Sequence, residues 1–413
     1  MWILAWRNLW RHRRRTLIVG SAIAASYALF LVVLSIEDHS HHVMRDTAER
    51  TIGGALRVEG SGFTATRNLE HHVPAGKALA EELAAHPEVR DVRVEVELSG
   101  LLSSPRNNAG AQIRGVDVEA WPSVLDDLFL SVGEGEFLDP DDPQGIALAR
   151  PVARDLQVGL GDRVVVTLSD PDGEMTRALF HVGSILEVEV GGPEQIAFLR
   201  TEEAQRAAEL GDGVTSIGLR LADSDDRFAL QGELQALVDE LRPGEDLAVL
   251  TWDEVVPDLI AIIEIDRAFT LIMLSLVFLV VVFAIANTMM MSVMERTREL
   301  GLLGALGLGP WATARLVLYE SLAKSAVFMG IGLLLALAAH AAISRWGIPV
   351  GEAGFDYDVG DVHIVEPVLY SHINPESWIF ASALIFGLTT LAALHPAVRA
   401  ARLQPTEAMR QWK

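Results

Sequence analysis

The chain has 413 residues, half of them apolar, and a formal net charge of -23. It contains no cysteine, which excludes disulfide scaffolds, thiolate zinc sites, iron–sulfur clusters and cysteine nucleophiles. Charge and apolarity are segregated: residues 1–15 carry +5 and residues 37–267 carry -27. That pattern argues against a single compact soluble domain, and a domain so acidic is a poor partner for nucleic acid.

In the first fifteen residues Trp2, Trp6, Leu9 and Trp10 share one face at helical spacing while arginines crowd the rest. Residues 1–15 are therefore read as an amphipathic interfacial helix, with Trp2, Trp6, Trp10, Arg11 and Arg14 as membrane-interface anchors. A plain basic flank with anchoring tryptophans is the alternative. Four charge-free runs follow, Thr16 to Ile36, Ala268 to Met294, Ser325 to Ser344 and Ser377 to Val398. Each reaches the roughly 20 apolar helical residues that a bilayer core requires. The first run reads as a span and not as a cleaved signal, because no small-residue cleavage pattern precedes Glu37 and Asp38.

Arginines before the first run, and Arg399, Arg402, Arg410 and Lys413 after the last, predict that both termini are cytoplasmic. The expected fold class is an α-helical membrane protein with four transmembrane helices plus a large α+β extracytoplasmic domain inserted between helices 1 and 2. The spans are placed at 16–36, 268–294, 313–344 and 377–395. The outer domain takes 37–267, a cytoplasmic turn 295–312, a short outer loop 345–376 and a cytoplasmic tail 396–413.

Alternating stretches at Ala55 to Val58, Val92 to Leu98, Gln112 to Val116, Arg163 to Leu168, Ala178 to Val190 and Ser216 to Leu221 predict strands. Ala75 to Ala85, Thr201 to Leu210 and Phe228 to Leu241 read as helices between them. Pro140 to Pro143 and Pro171 to Gly173 mark surface turns. From Trp252 to Met294 a helical pattern is interrupted only by Pro257. As one helix it would extend about 64 Å, twice the hydrocarbon thickness, and project outward as a stalk over about 252–267. The alternative is an ordinary span with a separate preceding helix that ends at Pro257.

No catalytic constellation is found. Gly76-Lys77 is followed by Ala78, and the position where a phosphate loop needs its first glycine is His71. There is no Gly-x-Ser-x-Gly elbow. His39, His41 and His42, with His71 and His72, read as solvated surface histidines, so no metal ligand is assigned. Asn287 and Thr288 are polar residues in the second span, expected to hydrogen-bond between helices, with substrate contact as the alternative. Glu320 and Lys324, spaced i, i+4, are expected to pair. Gly330 and Gly332 are expected to permit close helix packing. The segment Glu295, Arg296, Thr297, Arg298, Glu299, Leu300, Gly301, Leu302, Leu303, Gly304, Ala305, Leu306 and Gly307 places charges, then a short apolar helix, then a turn. Exposure of Leu300, Leu303 and Leu306 to cytoplasm would suit a helix that docks into a partner's groove.

Three stretches carry a family resemblance. They are Ala5 to Thr16, the 295–301 segment with Ala305, Leu306 and Gly307, and Pro396 to Ala401 with Pro405, Glu407, Ala408 and Arg410. Together they resemble the FtsX-like permeases of the macrolide-exporter and lipoprotein-releasing (type VII) superfamily of ABC transporters, closest in layout to the lipoprotein-releasing permease subunits. The resemblance implies a non-catalytic bacterial inner-membrane permease, with Glu295, Arg296, Arg298, Glu299, Leu300, Gly301, Leu303, Ala305, Leu306 and Gly307 forming the coupling helix that meets the ATPase. It implies a dimer of separate ABC ATPase chains that bind ATP and Mg, so that this chain needs no cofactor. It also implies a second permease, the same chain or a sister, and mechanical extraction of a lipoprotein or other amphiphile from the outer leaflet. The hairpin around Ser169 to Phe180 is shorter than the hook by which one such permease recruits a periplasmic carrier, which leaves that docking open. Efflux of a small molecule or peptide with an outer-membrane partner, and regulation of a cell-wall hydrolase, are the alternative functions on the same scaffold.

Overall fold

The computed structural model describes residues 13–117, 124–189, 192–222, 226–350, 355–359, 362–366 and 368–402. The chain folds as two compact units, one built on the apolar helices and one on residues 43–262 with 353–366.

Helix α1 runs over Arg13–Thr51. It does not stop at Ile36, where the apolar run ends. The next fourteen residues hold no glycine or proline to break it, and the i, i+4 pairs Arg50–Asp46 at 2.8 Å and Arg45–Glu49 at 3.9 Å support the added turns. Gly53, at φ 88°, then turns the chain. A Cβ on Gly54 would lie 2.2 Å from the Leu219 carbonyl oxygen, so this crossing needs a residue without a side chain.

The outer unit is a mixed sheet with helices packed on it. Its elements are β1 (Leu56–Gly60), α2 (Gly76–Ala84), β2 (Val89–Ser103), β3 (Asn108–Val116), β4 (Leu130–Gly135), β5 (Gly145–Ala149), α3 (Arg150–Leu156), β6 (Arg163–Ser169), β7 (Met175–Val188), β8 (Ile196–Arg200), α4 (Thr201–Ala207), β9 (Ser216–Leu221), α5 (Arg227–Leu241) and β10 (Leu247–Thr251). The strand order is β10-β1-β9-β2-β3-β8-β5-β7-β4, with β6 bridging β2 and β7. The length of β2 lets it pair with β9 near its start and with β6 at Leu101 to Ser103. Helix α5 buries Leu230, Leu234 and Val238, one stripe at four-residue spacing, and α2 buries Leu79, Ala80 and Leu83. Each strand and helix read from the sequence falls on an observed one. The elements that escaped, β4, β5, β8, β10 and α3 among them, are short, and β5 is buried along its whole length, which erases the alternation that betrays a half-buried strand.

The single 43-residue stalk is corrected. Trp252–Val255 forms a separate turn behind a capping box of Thr251 and Glu254, and α6 begins only at Pro257 and runs to Glu295. Proline at the first helical position loses no hydrogen bond, whereas inside the longer helix it would break one. Helix α6 is still 39 residues long, about 58 Å.

Helix α7 (Thr297–Ala305), α8 (Pro310–Trp346) and α9 (Pro375–Ala401) complete the helical unit. Between α8 and α9, which the sequence gives only as a loop, Ile348–Pro349 pairs with Val368–Leu369 and Phe355–Val359 pairs with Val362–Glu366. Helix α9 passes through Pro396, past the expected end at residue 395. Pro396 is buried, and packing of that kind tolerates a missing backbone bond.

Helices α1, α6, α8 and α9 are each long and apolar enough to cross a membrane. Their shared core takes Ile23, Tyr27 and Leu31 from α1, Phe278, Ile285 and Met289 from α6, Phe328 and Ala336 from α8, and Ala381 and Ile385 from α9. Phenylalanine 328 sits where a Cβ on Gly20 would be, 2.1 Å away, and a Cβ on Gly332 would lie 2.7 Å from the Ala24 carbonyl. Gly332 thus sets a close contact between α8 and α1, while Gly330 faces open space. Polar pins tie α1 to α9: the Trp378 indole donates to Ser35 Oγ at 2.8 Å, and Tyr27 Oη lies 2.5 Å from Ser382 Oγ.

Candidate coupling site

The turn between α6 and α8 is held by one buried carboxylate. Arg296, in the break between α6 and α7, donates through Nη1 to Glu320 Oε2 at 2.9 Å, and Lys324 Nζ donates to Glu320 Oε1 at 2.9 Å. Arg296 Nε also reaches Glu299 Oε2 at 3.3 Å. Glu320 is 6% exposed, so each oxygen faces a cation where water is scarce, the arrangement under which a buried charge is tolerated. The expected Glu320–Lys324 pair forms. Arg296 as the third member was missed, although its position in a charged turn between apolar helices was a signal.

Helix α7 presents two faces. Leu300 and Gly301 are buried toward the bundle. The other face exposes Leu302, Leu303 and Leu306, the last at 78%, with Trp311 beside them at the start of α8, also at 78%. The expectation that Leu300 is exposed is therefore corrected: it packs inward because it lies beside Gly301 on the side that Arg296 pulls against α8. Leu302 and Trp311 take its place in the outward patch. Glu295, Arg298, Ala305 and Gly307 are exposed. Gly307, at φ 100°, ends the helix, and the Leu308 N–H returns to the Leu303 carbonyl at 3.0 Å, the six-to-one bond of a Schellman cap.

A second construction lies inside the outer unit. The last carbonyls of α1 are met by two buried arginines: Arg93 Nη1 donates to the Arg50 oxygen at 3.2 Å and Arg114 Nη1 to the Thr51 oxygen at 2.9 Å. Cations at the negative end of a helix dipole stabilise it. These arginines belong to a buried ionic ladder on β1, β2 and β3. Arg57 holds Glu97 through two bonds at 3.1 and 2.9 Å, Arg67 reaches the same carboxylate at 2.5 Å, Arg57 lies 3.2 Å from Glu59, and Arg93 contacts Glu95. Burial alone would push the Glu97 carboxyl up, but Arg57, Arg114 and Arg67 outweigh it and hold the group well below the usual carboxylate range. The strand β1 that follows α1 pairs directly with β10, which leads into α6, so both long helices join the sheet through neighbouring strands. The ladder was not singled out in the sequence, although Arg93, Glu95 and Glu97 alternate with valines there.

Trp2, Trp6, Trp10 and Arg11 lie outside the described residues. Arg14 and Thr288 are described only as backbone, in α1 and α6. Asn287 is exposed on α6, so the expected interhelical hydrogen bond is not made within this bundle among the described residues. His41 is not a solvated residue either, since its side chain is 18% exposed.

These features define a multi-pass membrane protein with a helical bundle, an apolar hairpin at one end and an α+β domain. Residues 16–237 match the MacB-like periplasmic core domain and residues 271–405 the FtsX-like permease C-terminal domain. The chain belongs to this family of type VII ABC transporter permeases. It is 27% identical over 341 residues to the lipoprotein-releasing system transmembrane protein LolC of Xylella fastidiosa, with 78% of each chain covered. It is 23% identical over 363 residues to LolE of Haemophilus influenzae, covering 84% of this chain and 83% of that one. It is also 31% identical over 196 residues to the macrolide export ATP-binding/permease protein MacB of Brucella abortus, covering 48% of this chain and 27% of that protein. The crystal structure of the periplasmic region of MacB from Actinobacillus actinomycetemcomitans aligns with a TM-score of 0.36 at 16% identity, over 50% of this chain and 92% of that one.

Proposed function

We propose that this chain is the non-catalytic permease subunit of an ABC transporter that extracts lipoproteins from the outer leaflet of the bacterial inner membrane. The α7 hairpin carries the proposal. A short helix with an outward apolar patch, fastened to the bundle by Arg296, Glu320 and Lys324, is a rigid lever for a partner to push. A separate ABC ATPase dimer, holding ATP and Mg, docks on Leu302, Leu303, Leu306 and Trp311. Its closure moves α6 and α1, which enter the outer unit through the paired strands β10 and β1. The outer unit then works on the acylated cargo, and both termini lie in the cytoplasm.

Lipoprotein as the cargo class rests on the matched length of the relative named for lipoprotein release, 78% of each chain. A second permease, the same chain or a sister, packs against the apolar outer surface of the bundle, where Asn287 is exposed. Similarity over 98% of this chain to the pyoverdine export ATP-binding/permease protein PvdT of Pseudomonas syringae, at 24% identity, supports small-molecule export as the second reading.

The test is purification from native membranes in mild detergent with mass spectrometry of what accompanies the chain. An ABC ATPase with an acylated lipoprotein is expected. An ATPase with an outer-membrane channel would move the cargo to the second reading, and no ATPase would refute the proposal.

A further inference from the structure

Three ligand-bearing side chains meet at the outer ends of the first two apolar runs. Glu37 and His41 lie one turn apart on α1 just past Ile36, and Asp266 lies on α6 just before Ala268. One ligand atom from each falls within 4.8 Å of the other two. His41 Nε2 stands 3.5 Å from Asp266 Oδ2, close to the ~3.3 Å edge of a tetrahedron whose metal–ligand bonds are about 2.0–2.1 Å.

Glu37 carries the argument. The residue is only 8% exposed, and neither of its carboxylate oxygens has a hydrogen-bond partner among the described residues. An isolated buried carboxylate costs several kcal/mol, so buried charges are paired or coordinate metals. His41 Nε2 is directed at the same place, with Asp266 Oδ2 as its neighbour. Around Glu37 the like charges are Asp266 and Asp38, and the opposing charge is Arg267. Carboxylates outnumber guanidinium groups here, an acidic surrounding that favours a cation.

We propose that Glu37, His41 and Asp266 bind a divalent transition-metal ion of the zinc class. The ion clamps α1 to α6 at the outer membrane boundary, with water filling the remaining coordination. One imidazole with two carboxylates selects zinc over calcium or magnesium, which take oxygen ligands alone. The two clamped helices are the ones that lead into the outer unit, so the metal fixes their separation at the point where they leave the bilayer. The sequence hid this site because His41 stands among His39 and His42, which suggest solvated residues, and because its third ligand is 225 positions away.

The full chain, purified in detergent and stripped with a chelator, is titrated with Zn2+ and the bound metal counted by mass spectrometry. Co2+ serves as an optical reporter of the coordination. One saturable zinc per chain is expected, with a visible Co2+ band. Glu37→Gln and Asp266→Asn should each weaken binding at least about tenfold and abolish the band, while His39→Ala retains both. If Glu37→Gln does not fold, Asp266→Asn on the other helix gives the same reading. No saturable zinc in the wild-type chain, undiminished binding in the carboxylate variants, or loss in His39→Ala instead would each overturn the assignment. Association with an ATPase is read separately and does not depend on the result.

Discussion

At the scale of single residues, buried carboxylates facing several cations recur, and each makes a distinct prediction. Glu97 is held charged by Arg57, Arg114 and Arg67, so its folded pKa lies below the ordinary 4.5 of a glutamate. The stability this contributes is complete above the unfolded value and is lost as pH falls through the folded one. Between about pH 5 and about pH 3, protection factors in β1 and β2 should fall in the native chain, and Glu97→Gln should flatten that dependence while lowering protection at neutral pH. An unchanged pH profile in Glu97→Gln would place the acid sensitivity elsewhere. Glu320→Ala leaves Arg296 and Lys324 without their shared acceptor, and removing one partner of a buried pair costs about 3–5 kcal/mol. Thermal unfolding of the bundle in detergent should fall accordingly. Lys324→Met, which leaves Arg296 on the carboxylate, should cost less.

At the scale of elements, helix contacts and helix ends decide what moves as a unit. A Cβ on Gly332 of α8 would lie 2.7 Å from the Ala24 carbonyl oxygen, and one on Gly330 would meet open space. Gly332→Ala is therefore expected to destabilise the bundle by about 1–3 kcal/mol through overpacking, whereas Gly330→Ala should be neutral or stabilising by up to about 1 kcal/mol. Equal unfolding temperatures for the two variants would contradict this packing. The same elements show how far the sequence could be read. The four apolar runs, the alternating strands from Val92 to Leu98 and Arg163 to Leu168, and the amphipathic α5 were legible because period and length are local properties. The extension of α1 from Ile36 to Thr51 was not, since polar helix and polar loop look alike once apolar periodicity stops. The stalk began five residues later than the continuous reading because Pro257 starts a helix more easily than it continues one. The α7 hairpin was recognisable by its residues. Its fastening by Glu320 depended on two helices meeting, which no local pattern reports.

At the scale of the whole molecule, two kinds of surface stand out: an apolar hairpin patch, and a domain of charge -27 between residues 37 and 267. A catalytic cleft is not among the features the sequence marked, and the family is one of permeases. The proposed function is mechanical: in it, force enters at α7 and runs along α6 and α1 toward a sheet whose strands β10 and β1 are hydrogen-bonded neighbours. The ladder ties the end of α1 to the sheet through Arg93 and Arg114, which donate to its last carbonyls. The most direct test reconstitutes the chain with its co-purifying ATPase in vesicles carrying an acylated lipoprotein and measures ATP-dependent release. Release is expected with the native chain and should fall at least about tenfold with Leu306→Asp, because a charge in an apolar contact costs at least about 1.4 kcal/mol. Release that is equally fast in Leu306→Asp, or no ATP-dependent release from the native chain, would contradict coupling through α7 to lipoprotein extraction.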